Sequence, residues 1–88
     1  MVRVVLPRIL QGLFPGCCLE LEVEAANVAE VMDRLNARWP GMRDRLCDST
    51  PKIRRHINVF VDGEKASLTT VIPPNGEVVV LTAISGGL

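Results

Sequence analysis

A single stretch of this chain has the apolar spacing of a helix long enough to cover a β-sheet. Apolar residues recur there every three or four positions: Val28, Val31, Met32, Leu35 and Trp39. Asn27 with Glu30 three residues later forms a capping box at its start, and Pro40-Gly41 ends it. One helix can cover only one face of a sheet. Any sheet in this chain therefore leaves its second face to solvent or to a partner.

The strands of that sheet are predicted from alternation and short apolar runs. They fall at residues 2–6, 19–24, 57–61, 65–68 and 78–81, with the fourth being short. The first two should pair as a hairpin, and Asp62-Gly63 predicts a two-residue turn after the third. Residues 7–16 and 48–55 are predicted loops, and Met42 and Leu46 should hold a short irregular or helical turn against the core. We therefore expect an α+β domain, a mixed sheet of four to five strands packed on one main helix, over residues 1–88.

Period-2 counting assigns the side chains of these strands to two faces. The helix-facing set is Val2, Val4, Leu6, Leu19, Leu21, Val23, Ile57, Val59, Val61, Val78 and Val80. Val5, Phe60, Val79 and Leu81 then fall on the open face. Either a loop such as the one carrying Phe14 covers them, or they form a docking surface for a partner.

Composition excludes several classes of function. Lys+Arg and Asp+Glu number ten each, so there is no overall basic field to attract nucleic acid. No apolar run approaches the ~18 residues of a membrane span. Since the chain enters a strand at once, we expect no signal peptide and a cytoplasmic location.

The nucleophilic and metal-binding residues form no recognisable site. Cys17, Cys18 and Cys47 are odd in number and accompany a single histidine, so reduced thiols without a metal are expected. His56 has no nucleophile or carboxylate at a catalytic spacing. Lys52, Arg54 and Arg55 precede it, and this basic cluster is either a solvated loop or a docking patch for an acidic surface. The chain is not expected to be an enzyme by itself.

The chain ends in an uncharged tail, residues 83–88, reading A-I-S-G-G-L. Gly86 and Gly87 lack Cβ atoms, which makes the end of the tail thin and conformationally free. When extended, the tail would reach on the order of 15 Å beyond the sheet at ~3.3 Å per residue. That length suffices to enter a narrow active site on another protein. Ile84 in the tail joins the four open-face residues as a predicted partner contact.

These features together resemble the MoaD/ThiS family of sulfur-carrier proteins. The resemblance rests on the hairpin, the helix ending in W-P-G, the strand I-N-V-F-V-D-G-E and the closing N-G-E-V leading to A-I-S-G-G. It implies a ubiquitin-like β-grasp fold. It also implies that a ubiquitin-activating-like enzyme adenylates the terminal carboxylate with ATP, and that the adenylate becomes a thiocarboxylate that donates sulfur. By position, Gly87 is the modified residue and Gly86 its companion.

The same resemblance implies a protein co-substrate that binds no cofactor, because ATP is used by the partner. A second partner would be a sulfur-acceptor enzyme, for a molybdopterin precursor, a thiazole (thiamine), cysteine or a siderophore. Leu88 departs from the pattern, since it follows the glycines. Either a peptidase, expected to be a metallopeptidase, removes it, or Leu88 is not native.

Two other functions remain open on the sequence. The chain can be a ubiquitin-like modifier joined through Gly87 to lysines of target proteins, with the same activation and a different acceptor. It can also be a β-grasp interaction module with no chemistry at Gly87.

Overall fold

The computed structural model describes residues 1–82 and contains, in that range, one mixed sheet with helices packed on it. The strands are β1 (Val2–Val5), β2 (Glu20–Val23), β3 (Ile57–Val61), β4 (Glu64–Lys65) and β5 (Glu77–Thr82). The helices are α1 (Ile9–Leu13), α2 (Val28–Arg38) and α3 (Met42–Leu46). This is the predicted α+β architecture, with five strands and one main helix. None of the described helices is long and apolar enough to cross a membrane.

The last strand among residues 1–82 lies at the centre of the sheet. The strand order is β2-β1-β5-β3-β4, in which β5 runs parallel to β1 and antiparallel to β3. Val78 lies beside Val4 on one side, and Val80 lies beside Val59 on the other. β1 and β2 form the expected antiparallel hairpin. The strand that leads to the last described residue is therefore paired with β1 as far as Val79 and with β3 as far as Thr82.

The turn before β5 is built for close approach of the backbone. A Cβ on Gly76 would come within 2.9 Å of both the Ile72 side chain and the Pro73 carbonyl oxygen, so only glycine fits without a shift. The carbonyl of Gly76 accepts a hydrogen bond of 3.0 Å from the N–H of Arg3. This bond begins the parallel pairing of β1 with β5.

Helix α2 begins as the capping residues predict. The Asn27 Oδ1 accepts a hydrogen bond of 2.9 Å from the Glu30 N–H, and the Glu30 carboxylate accepts one of 2.7 Å from the Ala26 N–H. Its buried residues are Val28, Val31, Met32 and Leu35, and Trp39 packs against them at the C-cap. The helix therefore presents to the sheet the apolar stripe that the spacing predicts.

The core lies between that stripe and one face of the sheet. The sheet contributes Val2, Val4, Val23, Ile57, Val59, Val61, Val78 and Val80, all buried, and Leu6 just beyond β1 is buried with them. The predicted inward positions Leu19 and Leu21 are only half-buried, because they belong to the edge strand β2 and the segment leading into it. The face assignment is otherwise confirmed.

Two elements differ from the sequence prediction. The predicted loop 7–16 contains helix α1, whose Leu10 is buried in the core. Of the predicted strand 65–68, only Lys65 lies in a strand, the two-residue β4 (Glu64–Lys65). Its continuation turns toward α2 instead, where the carbonyl of Leu68 accepts a hydrogen bond of 3.0 Å from the Ala29 N–H. Backbone groups that would have extended the ladder are used at the start of the helix.

Candidate functional site

The open face of the sheet carries an apolar patch made of Val5, Phe60, Val79 and Leu81. Val79 lies directly beside Val5 on β1 and beside Phe60 on β3, so the three side chains form a row across adjacent strands. Leu81 follows two residues along β5, opposite Asn58. Directly opposed residues of neighbouring strands have Cβ atoms about 4.5–5.5 Å apart, so the members of this row are in contact range.

Leu81 is the most exposed member of the apolar patch. Its side chain is 47% exposed, whereas its neighbour Val80 on the helix face is fully buried. Val5, Phe60 and Val79 are half-buried. This alternation confirms that the strands place these four residues on the face opposite α2.

The suggestion that the loop carrying Phe14 covers this patch is wrong. Phe14 packs against the core cluster, and its ring lies 3.6 Å from the position of a Cβ on Gly41, at the start of α3. The side chain therefore belongs to the helical side of the sheet. It cannot shield Leu81 on the other side.

Charged side chains border the apolar patch at both ends. The row continues from Val5 to Glu20 on β2, and from Phe60 to Lys65 on β4. Arg3, on the same face, pairs with the Glu20 carboxylate at 2.5 Å. Because these side chains are more than half exposed, the pair contributes little to stability. An apolar centre with a charged, solvated rim is the anatomy of a protein-binding surface.

A second group of exposed apolar residues lies where the described chain ends. Thr82 pairs with Ile57 at the end of β5. Thr82 also lines a cavity of about 790 Å³, together with residues of α1 and α3 and with His56. Ile9 and Leu13 of α1 also line this cavity and are 60% and 45% exposed. The continuation of the chain from Thr82 thus begins beside apolar groups that a partner can cover.

The sequence analysis missed Ile9 and Leu13, because it assigned their segment to a loop. Their spacing of four residues, with Leu10 between them, was the available signal for a helical turn. The flanking prolines and glycines favoured the loop interpretation.

Two of the three cysteines are poorly suited to sulfur chemistry. Cys17 and Cys47 are buried, and burial is the main cause that raises the pKa of both thiols above the ordinary value. A raised pKa keeps a thiol protonated and makes it a poor nucleophile. Cys18 is exposed, and all three thiols are free. Within residues 1–82, no group of three or more His, Cys, Asp or Glu side chains is arranged to hold a metal ion.

The predicted tail residues lie outside the described part of the chain. This applies to Gly86 and Gly87 as the reactive end, to Ile84 as a partner contact and to Leu88. Their roles stay predictions. What the structure supplies is the position of Thr82, from which they continue, next to Leu81 of the apolar patch.

A protein-family model described as the ThiS family matches residues 14–87. Among solved structures, one chain of the BexX/CysO complex from Amycolatopsis orientalis is 30% identical and superposes with a TM-score of 0.87, over 99% of this chain and 100% of that one. CysO from Mycobacterium tuberculosis is 27% identical with a TM-score of 0.83, over 96% and 100%.

SAMP1 from Haloferax volcanii is 24% identical with a TM-score of 0.75, over 98% of each chain, and at that identity the likeness concerns the fold alone. A comparison with curated proteins gave no match. The structural likenesses identify the fold as ubiquitin-like β-grasp.

The two faces of β5 predict opposite responses to a charge. Val80→Asp should lower the free energy of unfolding by about 4 kcal/mol or more, because it places an unpaired carboxylate in the core. Leu81→Asp should cost no more than about 1 kcal/mol, the range of strand propensities. Chemical denaturation of both variants measures the difference. Equal destabilisation would show that Leu81 is not on an open face.

Proposed function

The chain belongs to the ThiS family of small, ubiquitin-like sulfur-carrier proteins, and from that membership we propose that it carries sulfur as a thiocarboxylate on Gly87. The observation that carries the proposal is the extent of the family match. It runs through both glycines of the tail and stops at Gly87, one residue before Leu88. The end of the match thus coincides with the residue that the proposed chemistry needs at the terminus.

The proposed activation has two steps. A terminal carboxylate is ionised at neutral pH and is a poor electrophile, but its oxygen can attack the α-phosphorus of ATP. Pyrophosphate leaves, and an acyl adenylate forms. Sulfide then attacks the carbonyl carbon and the bond to AMP breaks, which gives the thiocarboxylate. If a persulfide supplies the sulfur, a thiol must afterwards reduce the acyl disulfide.

The chain's own contribution to these steps is access and position. The last two positions are glycines, which have no Cβ, so no side chain shields the carbonyl carbon from the attacking sulfur. Pairing of β5 fixes where the tail begins, because the strand is paired with β1 as far as Val79 and with β3 as far as Thr82. The adenylating enzyme would bind and consume ATP, and this requirement is why we include a cytoplasmic location in the proposal.

We assign the apolar patch to docking on the adenylating enzyme. Leu81 lies one residue before Thr82, so an enzyme that receives the tail must pass close to this side chain. In support of this assignment, a chain of the same fold is part of the solved BexX/CysO complex. A sulfur-acceptor enzyme would use the same tail at a later step.

Leu88 requires removal before activation. While Gly87 is joined to Leu88, its carbonyl belongs to an amide rather than to a carboxylate. Leucine at the end of the tail would place an isobutyl group where a narrow channel fits only glycine. We therefore propose that a peptidase, in which a metal ion activates the attacking water, exposes Gly87 in chains that carry Leu88.

Changing the tail should abolish activation and leave the fold intact. Gly86→Val in a chain ending at Gly87 should lower ATP–pyrophosphate exchange by the source organism's adenylating enzyme to background, because the side chain obstructs the channel. Deleting Gly87 and Leu88 should do the same. Thermal melting should be unchanged in both, since Thr82 and the sheet are untouched.

Gly12→Val is the matched control, because a Cβ on Gly12 would meet no atom within 4 Å apart from its chain neighbours and the backbone of its own helix. Exchange should persist in that control. Normal exchange by the truncated chain would contradict the carrier proposal.

A charge in the apolar patch should weaken docking. Leu81→Asp and Phe60→Asp should each raise the Kd for the adenylating enzyme about thirtyfold, the equivalent of an interface anchor worth ~2 kcal/mol. Calorimetric titration measures the change. Thr69→Asp, on an exposed segment away from the patch, should bind normally. Unchanged affinity in both patch variants would show that the enzyme uses another surface.

A further inference from the structure

The cavity of about 790 Å³ that Thr82 lines lies at the end of the sheet from which the tail continues. Strand β1 runs parallel to β5, so α1, which follows β1, begins at the end of the sheet where β5 finishes. Strand β3 is antiparallel to β5, and its first residue, Ile57, pairs with Thr82 at the same end. The fold therefore brings α1, the start of β3 and the beginning of the tail to one place.

The cavity at Thr82 has a buried apolar floor and an exposed apolar wall. Leu10, Leu46 and Ile57 line it and are 5% exposed or less. Ile9 and Leu13 line it from α1, and both are exposed. Helix α1 thus buries one of its three large apolar side chains and leaves two at the cavity. Covering those two with another apolar group removes apolar surface from water, which is favourable.

The ionisable side chains at this cavity carry both signs of charge. They are Asp44, Arg45, Arg54 and His56. Asp44, Arg45 and His56 are exposed to solvent. The Arg54 guanidinium donates a hydrogen bond of 2.7 Å to the Asp44 carbonyl. Because both signs are present, the cavity does not select a ligand of one charge. Its apolar floor and wall favour an uncharged, apolar occupant.

The tail of this chain is such a segment. Residues 83–88, outside the described part, read A-I-S-G-G-L and contain no charged side chain. Ile84 is the one large apolar residue ahead of the glycines. Along β5, Val78 and Val80 are buried on the helix side, and Thr82 falls on the same side, where it lines the cavity. If the alternation continues for two more residues, Ile84 belongs to that side as well.

The tether between the cavity and Ile84 is short. Ile84 follows Thr82 by two residues, a reach of about 6.6 Å at ~3.3 Å per residue. A ligand held on a short flexible tether has an effective concentration in the millimolar range. An apolar side chain of another protein would have to compete with that concentration. The tether therefore favours the chain's own tail as the occupant.

We propose that, in the free protein, Ile84 occupies the cavity at Thr82 and packs on Ile9 and Leu13. An enzyme that accepts the tail must then displace Ile84 from the cavity, which frees the two side chains of α1 for a contact with the enzyme. Since the cavity holds a single large side chain of the tail, this displacement requires little work. The proposal concerns the resting position of the tail and does not depend on the chemistry at Gly87.

The test is a nuclear Overhauser measurement on the full chain with labelled isoleucine and leucine methyl groups. We expect contacts from the δ1 methyl of Ile84 to methyl groups of Ile9 or Leu13. The backbone order parameter of Ile84 should exceed about 0.6, the value below which a backbone is flexible. Both results should be independent of protein concentration, because the contact is intramolecular.

Substitutions on the two sides of the contact identify its members. Ile84→Ser should shift the methyl signals of Ile9 and Leu13, which are remote from it in sequence. Leu88→Ser, a matched change in the same tail, should leave both signals in place. Leu13→Ser should lower the order parameter of Ile84 below about 0.6. The proton–nitrogen spectrum of each variant verifies folding, and Ile9→Ser replaces Leu13→Ser if the latter does not fold.

Four results would overturn the proposal. The first is a set of Ile9 and Leu13 signals that do not respond to Ile84→Ser, since the cavity would then not hold that side chain. Contacts from Ile84 to Leu81 would place it on the open face instead. A response to Leu88→Ser in place of Ile84→Ser would identify another part of the tail as the occupant. Shifts that grow with protein concentration would identify a second copy of the chain.

Discussion

The structure depends on the pairing of β5 along both of its edges. This strand is the last of the described strands and the central one in the sheet, parallel to β1 and antiparallel to β3. Strand ends are usually free to fray, but here the final described residue, Thr82, is paired with Ile57. Whatever follows Thr82 therefore starts from a fixed point. A carrier that presents its reactive end to several enzymes needs such a fixed starting point.

The same strand divides its side chains between two tasks. Val78 and Val80 are fully buried under α2, whereas Val79 and Leu81 point to the opposite face. Because residues 1–82 contain a single main helix, that helix covers only one of the two faces. In the proposed function, these exposed apolar residues form the docking surface next to the tail. Residues that stabilise the fold and residues assigned to recognition would then alternate along the strand.

The sequence was sufficient for the elements whose signals are local. Alternation in 57–61 assigned Val59 and Phe60 to opposite faces, and the Asn27–Glu30 capping box marked the start of α2. It was insufficient where tertiary contacts decide the outcome. Strand β4 is short because the carbonyl of Leu68 accepts a hydrogen bond from the start of α2. The residue types at 65–68 do not predict this contact with the helix.

The same contrast between local signals and tertiary contacts applies to the candidate sites. The four residues of the apolar patch followed from counting, whereas Ile9 and Leu13 were missed in a segment rich in proline and glycine. The sequence showed a basic cluster of Lys52, Arg54 and Arg55. Only the fold shows that Lys65 lines the same groove as this cluster. The tail, the part with the clearest family signature, lies beyond the described residues, so its role depends on the ThiS family match.

The most direct test of the carrier function is the intact mass of the chain after reaction with its adenylating enzyme, ATP and sulfide. The chain ending at Gly87 should gain about 16 Da, the exchange of one oxygen for sulfur, and fragmentation should place the gain on Gly87. The chain ending at Leu88 should stay unchanged until a peptidase is added. Covalent adducts with other proteins would identify a modifier instead. An unchanged mass of the Gly87 form, or sulfur on Leu88, would contradict the account.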